Sequence, residues 1–364
     1  MNLFDNQHVM KYFSTFFHTI LVLLTFLSTN GQTSDFSAYA QRENSTLRIC
    51  FYNLENFFDT IDNPDKNDDS FTPTGNNHWT SWRFHHKAQN IAKVLIAIGG
   101  LQVPDIVGVC EIENENVIKK LLYGSPLKKF DYQYFIFQSP DPRGINTALL
   151  YRPATFKVLE AMPIVVKIDN DTTFKTRNIL YIKGLTTTKC KDTLHIFVNH
   201  WTSRYGGYAN TIEKRNKTAQ LLRLKVDTLL SQNPQAKILI MGDFNDYPDN
   251  ESITKYLNAP YKARQSDGKS LVNMMYPYLE ANNKGTNKFG QMWGILDQFF
   301  ASFGLLNDTN GLHTVSEGVI FDADFLLIDD PQNMGKKTFR TYTGMSYTGG
   351  FSDHLPIFID VGCP

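Results

Sequence analysis

Six times along this chain an apolar, strand-like run meets an acid, an amide or a histidine at its boundary. Ile49-Cys50-Phe51-Tyr52 gives way to Asn53-Leu54-Glu55-Asn56, and Asp105-Ile106-Val107-Gly108-Val109-Cys110 gives way to Glu111. Leu194-His195-Ile196-Phe197-Val198 runs into Asn199-His200-Trp201, and Ile238-Leu239-Ile240-Met241 into Gly242-Asp243-Phe244-Asn245. Residues 292–296 lead to Asp297, and Ser352-Asp353-His354 stands directly before a last apolar run. Side chains at strand ends project from a rigid edge into a crevice, where α/β sheets bind ligands. Any one of these is an ordinary turn or helix-cap residue. Together they bring five carboxylates to one edge, where they repel unless a cation holds them.

The runs bounded by turns predict strands at 47–53, 105–110, 132–138, 145–151, 193–199, 237–241, 294–300 and 355–361. Helical spacing over 84–98 puts Ile91, Val94, Leu95 and Ile98 on one face, and 211–230 does the same with Leu221, Leu222, Val226 and Leu229. Helices scattered among more numerous strands predict a layered α/β domain, with no linker or repeat to mark a second one. The 36 basic and 36 acidic residues cancel, which excludes a uniformly basic, sequence-indifferent nucleic-acid binder. Four cysteines, none in a CxxC, exclude a disulfide-built scaffold and a structural zinc site.

Residues 12–27 are apolar, too few to span a membrane as a helix, and small residues follow behind a single Lys11. This pattern predicts a cleaved signal peptide over residues 1–31, hence a secreted or periplasmic protein, with Met10 a better start than Met1. In an oxidising compartment Cys190 and Cys363 are the candidate pair.

The strand-end motifs occur in the order of the endonuclease/exonuclease/phosphatase superfamily, which the chain resembles over residues 47–361. Gly-Asp-Phe-Asn at 242–245 followed about a hundred residues later by Ser-Asp-His at 352–354 is the specific part of that likeness. The resemblance implies a DNase I-like fold: a four-layer α/β sandwich of two mostly antiparallel sheets flanked by helices. It also implies a divalent-metal site, with Mg²⁺ first and Mn²⁺ or Ca²⁺ as alternatives. It places Glu111 as principal metal ligand with Asp353 nearby, completed or oriented by Asn53 and Glu55. Asp243 corresponds to the acid that orients or deprotonates the attacking water, and Asn245 to an amide donor for a phosphoryl oxygen. His354, paired with Asp297, is the charged donor or acid/base group, and His200 the second histidine. Tyr151 falls near the place of a phosphate-side tyrosine. The resemblance also makes the strands of Cys50 and Cys110 near neighbours; adjacent strands rarely suit a bridge, so buried free thiols are expected there.

Arg204 and Arg143 are candidates to bind phosphate, while Arg215 suits either a phosphate clamp or the solvated face of helix 211–230. Residues 59–77 read as an acidic, solvated loop at the mouth of the site, and the four tryptophans as core, Trp201 excepted for its place beside His200. These features predict a secreted, metal-dependent phosphodiesterase, most simply a monomeric nuclease acting on DNA or RNA without a stable protein partner. A phosphatase, or a sphingomyelinase-like or inositol phosphate esterase, is the alternative, because such residues handle the phosphate and not its substituent. An inactive scaffold would show gaps among these positions, and there are none.

Overall fold

A computed structural model describes residues 46–100, 102–168, 171–260, 269–281 and 284–364. The expected signal peptide lies outside the described residues.

Two sheets face each other. The first is built on β1 (Leu47–Phe57), β2 (Ile106–Ile112), β3 (Gln133–Ile136) and β4 (Asn146–Tyr151), with the C-terminal strand Ile357–Gly362 beside β1. The second contains β5 (Phe156–Ile164), β6 (Ile179–Thr186), β7 (Thr193–His200), β8 (Lys237–Asp243), β9 (Leu271–Asn273) and, between β8 and β9, the strand Asp297–Ser302. Each sheet is antiparallel except for one central parallel pair, β1 with β2 and β7 with β8. A parallel pair needs a crossover, and a helix supplies each: α1 (Ser81–Gly99) for the first pair, α3 (Tyr208–Gln232) for the second. Between them α2 (Glu115–Tyr123) follows β2, capped by Asn114, whose Oδ1 accepts from the Asn116 and Val117 amides at 2.8 and 3.1 Å.

The four central strands are apolar on both faces because each face is covered. Ile49, Phe51, Val107 and Val109 share a core with Ile91, Val94, Leu95 and Ile98 of α1 and with Ile196, Val198, Leu239 and Met241 of the opposite sheet. A second core lies outside the other sheet, where Ala219, Leu222, Val226 and Leu230 of α3 cover Phe197, Ile238 and Ile240. The sheets approach closely at Gly108, where a Cβ would lie 2.7 Å from Met241 Cε. This is the four-layer sandwich the resemblance implies.

Every predicted strand is present, and β5, β6, β9 and α2 are among the elements that the sequence reading did not include. β5 carries a bulge between Val158 and Glu160, which breaks the alternation that marks a strand. β6 contains Gly184, a poor strand former kept because the Phe156 ring lies where a Cβ would go.

Cys190, in the β6–β7 turn, is bonded to Cys363 beyond the C-terminal strand, with Cα atoms 5.8 Å apart and a sequence separation of 173. Cys50 and Cys110 are free and buried, and burial pushes both thiols well up. Thiol titration of denatured, unreduced protein should therefore find two reactive groups. Reduction should cost about 2–4 kcal/mol of stability, read from denaturant unfolding with and without reductant; four free thiols would remove the bridge.

Candidate functional site

The topology carries all six motifs to one edge. β1 and β2 run parallel, and their regular ladder stops at Asn53 opposite Cys110, just before Glu111; β7 and β8 run parallel and end at His200 and Asp243. The strand beginning at Asp297 is antiparallel to β8, with Asp297 opposite Asp243. The C-terminal strand is antiparallel to β1, so Asp353 and His354 precede it at the same edge.

Asn53 joins the halves, its Nδ2 donating to Asp243 Oδ2 at 3.1 Å and to Glu111 Oε1 at 3.4 Å. The other Glu111 oxygen accepts from the Asn56 amide at 2.8 Å. His200 Nε2 lies 3.7 Å from both Glu111 Oε1 and Asp243 Oδ2. His354 Nδ1 donates to Asp297 Oδ2 at 2.6 Å, and its Nε2 stands 3.8 Å from Asp243. Asn245 donates its backbone N–H to Asp243 Oδ1 and one side-chain N–H to the Trp201 carbonyl. Glu55, Asn56, Glu111 and Asn245 all have positive φ, between 48° and 58°. Left-handed backbone is costly for such residues and clusters at sites where geometry is over-determined.

The two histidines are driven apart in charge. Burial, with Arg177 and Arg143 nearby, holds His200 well below its usual range, so it is neutral. Burial also opposes charge on His354, but Asp297 and Asp243 outweigh it and raise the imidazole well above its usual range. Asp243 is pushed up to about 7, chiefly by burial, with Asp297 adding and His354 opposing. Asp353 rises to about 6 through burial and the neighbouring Glu55.

Arg340 escaped the sequence reading. Its Nε donates to Glu55 Oε1 at 2.9 Å and its Nη2 to Asp353 Oδ2 at 3.2 Å. The second Glu55 oxygen accepts from the Thr341 amide, and buried Lys87 stands 3.9 Å from it. The cation that the converging acids call for is therefore supplied in part by the protein, since Arg340 and Lys87 already stand among them. Two signals were legible: Lys336-Lys337-Thr338-Phe339-Arg340 lies just ahead of the Ser-Asp-His motif, and Lys87 falls one turn before Ile91 on the apolar stripe of α1. Arg177 was also missed; its Nε donates to the His200 carbonyl, its Nη2 to the Trp201 carbonyl and its Nη1 to Asp141.

Four expectations are corrected. Tyr151 is opposite Ile106 at the far end of β2, five residues from Glu111 and stacked on Phe135. Arg204 is committed to Asp246, Asn250 and the Asn245 carbonyl and sits over the Tyr247 ring, so it braces the turn after β8 instead of meeting phosphate. Arg215 is neither clamp nor solvated face: it is fully buried, 2.8 Å from the same Asp246. The 59–77 loop is only partly solvated, because Asp59 and Asp68 are buried and Lys66 donates to the Ser139 and Asp141 carbonyls. Arg143 is half exposed beside Asp141, close enough to bear on His200. Trp201 is core, packed edge-on against Phe244, whereas Trp82 is exposed and stacks on His86.

The donors fit a hard divalent cation. Glu111 and Asp353 are partly open to solvent, and Asp297 Oδ1 is buried with no hydrogen-bond partner among the described residues. Asn53 turns its Nδ2 to Glu111 and its Oδ1 accepts from the Glu55 amide, so it orients the acids. Glu55 has both oxygens engaged by Arg340 and Thr341, which makes it an orienting group. Asp243, Asp297 and His354 also bring ligand atoms within 4.8 Å of one another, but a protonated imidazole is no ligand, so Glu111 is the better centre.

The family model described as Endonuclease/Exonuclease/phosphatase family matches residues 48–362. No curated protein matches in sequence. Among solved structures, D. rerio TDP2 complexed with single strand DNA product has 15% identity and a TM-score of 0.54, covering 88% of this chain and 100% of its own. An endonuclease/exonuclease/phosphatase family protein from Bacteroides thetaiotaomicron has 15% identity, a TM-score of 0.54 and coverages of 88% and 99%. The human Nocturnin catalytic domain with bound sulfate anion has 16% identity, a TM-score of 0.52 and coverages of 88% and 95%. At these identities the likeness is one of fold.

The charge arrangement sets a pH dependence. His354, Asp243 and Asp353 all have folded pKa values above their unfolded ones, so each contributes stability at low pH that is lost as pH rises through the folded value. In EDTA the melting temperature should fall between pH 5 and pH 8, and Mg²⁺ should recover it more at pH 8 than at pH 5. A flat profile would mean the acids do not share one field. In a double-mutant cycle on stability, His354→Ala and Asp297→Asn should couple by about 1–3 kcal/mol, against none if they act independently.

Proposed function

The chain belongs to the endonuclease/exonuclease/phosphatase family, and we propose that it is a secreted, divalent-metal-dependent phosphodiester hydrolase acting on nucleic acid. The observation that carries this reading is the pairing of a protonated His354, held by Asp297, with Asp243 at the same edge as Glu111. Hydrolysis of an anionic ester needs neutralised charge, a water in line and a donor at the phosphate. A divalent cation held by Glu111 and Asp353, with Asn53 orienting Glu111, would supply charge neutralisation and polarise the phosphorus–oxygen bonds. Asp243, with a pKa near neutrality, orients the attacking water and accepts its proton. His354 donates to a phosphoryl oxygen, with Asp297 fixing its tautomer and its charge. Neutral His200, anchored through its carbonyl by Arg177, donates to the phosphate or the leaving oxygen.

The Cys190–Cys363 bond supports an oxidising compartment and, with the apolar segment 12–27, export from the cytosol. A diester is preferred because the cations near the phosphate are few: Arg204 and Arg215 are committed elsewhere, and Asp62, Asp65 and Asp69 are exposed near the mouth. One observation favours a monoesterase instead, namely Arg340 beside Asp353, since a doubly charged phosphate calls for an added cation.

An activity panel separates these readings: plasmid DNA, RNA, bis-p-nitrophenyl phosphate, p-nitrophenyl phosphate and sphingomyelin, each with an EDTA control. The bis-ester should be cut faster than the monoester, and EDTA should abolish both. Glu111→Gln should lower kcat by about 10²–10³-fold while leaving the fold intact. Faster release from the monoester would promote the phosphatase, and undiminished activity in EDTA would remove the metal from the mechanism. Asp243 is pushed up to about 7 in the metal-free protein, and a bound cation would lower it, so the Mg²⁺-dependent activity should rise with pH at or below that value, and Asp243→Asn should abolish that limb.

A further inference from the structure

Beside Glu55, on the flank of the site away from His200, is a cavity of about 370 Å³. Phe71, Asn77, Asn56, Arg340 and Tyr342 line it. The walls are held in advance of any ligand. Phe58 stacks on Phe71 at 4.4 Å, Trp79 packs against both Phe71 and Tyr342, and the Tyr342 hydroxyl donates to the Asn77 carbonyl at 2.8 Å. Arg83 donates to the same carbonyl and lies 4.4 Å over the Tyr347 ring. The side-chain carboxamides of Asn56 and Asn77 are different: both are half-buried and neither makes a hydrogen bond among the described residues. Arg340 spends Nε and Nη2 on Glu55 and Asp353, and among the described residues no hydrogen bond engages its Nη1.

Two aromatic rings, a guanidinium plane and two unengaged carboxamides are what a nucleobase needs. The rings and the guanidinium offer faces for stacking, and each carboxamide presents the paired donor and acceptor that match a base edge. Asp62, Asp65 and Asp69 are exposed on the same 59–77 segment that supplies Phe71 and Asn77, and their charge disfavours a second phosphate. We infer that this cavity is a base-binding subsite, taking the unpaired base of the nucleotide whose phosphate is cleaved. The inference rests on the nuclease reading above and adds to it that single-stranded substrate is preferred, since a base stacked in a duplex is not free to enter.

The test uses a single-stranded oligonucleotide and the same sequence with one tetrahydrofuran abasic residue, cut by the full mature chain with Mg²⁺ and mapped on a gel. Wild type should cut normal linkages roughly tenfold or more faster than the linkage beside the abasic residue, the worth of one stacked base. Asn77→Ala, which removes no bond within the protein, should lessen that preference; Phe71→Leu should lessen it further. Melting curves establish that both variants are folded. Equal cutting beside the abasic residue by wild type, while the oligonucleotide is otherwise cleaved, overturns the subsite and leaves the nuclease reading standing. Cleavage of no oligonucleotide by wild type overturns both.

Discussion

Five carboxylates share one buried edge, and much of the surrounding structure is arranged to make that tolerable. Glu55 and Asp353 are bridged by Arg340, Asp297 is matched by a protonated His354, and Asp243 is raised towards neutrality so that it carries its proton part of the time. Glu111 is left with hydrogen bonds from Asn53 and the Asn56 amide and with the neutral His200 at 3.7 Å, and no Lys or Arg among the described residues pairs with it. The least compensated acid is thus the one best placed to hold an added ion. The positive φ at Glu55, Asn56, Glu111 and Asn245 belongs to the same account, since strained backbone persists only where other contacts hold it.

The convergence itself follows from strand direction. A parallel pair at the centre of each sheet puts two strand ends on one side, and the antiparallel neighbours bring in Asp297 and the Asp353–His354 pair as strand beginnings. The alternation of acid-terminated runs with helices made this architecture legible in the sequence. β5 and β6 were hidden because a bulge and a buried glycine erase the two-residue period.

At the site, the members that were legible sit at strand ends, where sequence position and spatial position are tied. Those that were not, Arg340, Lys87 and Arg177, reach the edge from a loop, a helix and the start of a strand, and only tertiary packing puts them there. The same reasoning explains the misplaced residues. Tyr151 ends an antiparallel strand, so its end is the opposite edge of the sheet, and a motif read without strand direction puts it on the wrong side. Arg204 lies four residues after His200 in sequence, yet the buried carboxylate of Asp246 claims it first.

The site is divided between two sheets that share no backbone ladder, with Asn53, Glu111 and Asp353 on one and His200, Asp243 and Asp297 on the other. Side-chain packing alone would allow the layers to slide a little past each other. The Cys190–Cys363 bond joins them at the rear, since β7 begins and the C-terminal strand ends at the edge away from the site. A covalent pin there opposes sliding at the rear edge, while the hydrogen bond from Asn53 to Asp243 spans the two layers at the front. The catalytic groups are thus held in register from both ends of the sandwich, by a covalent bond at one edge and by the site's own amide at the other.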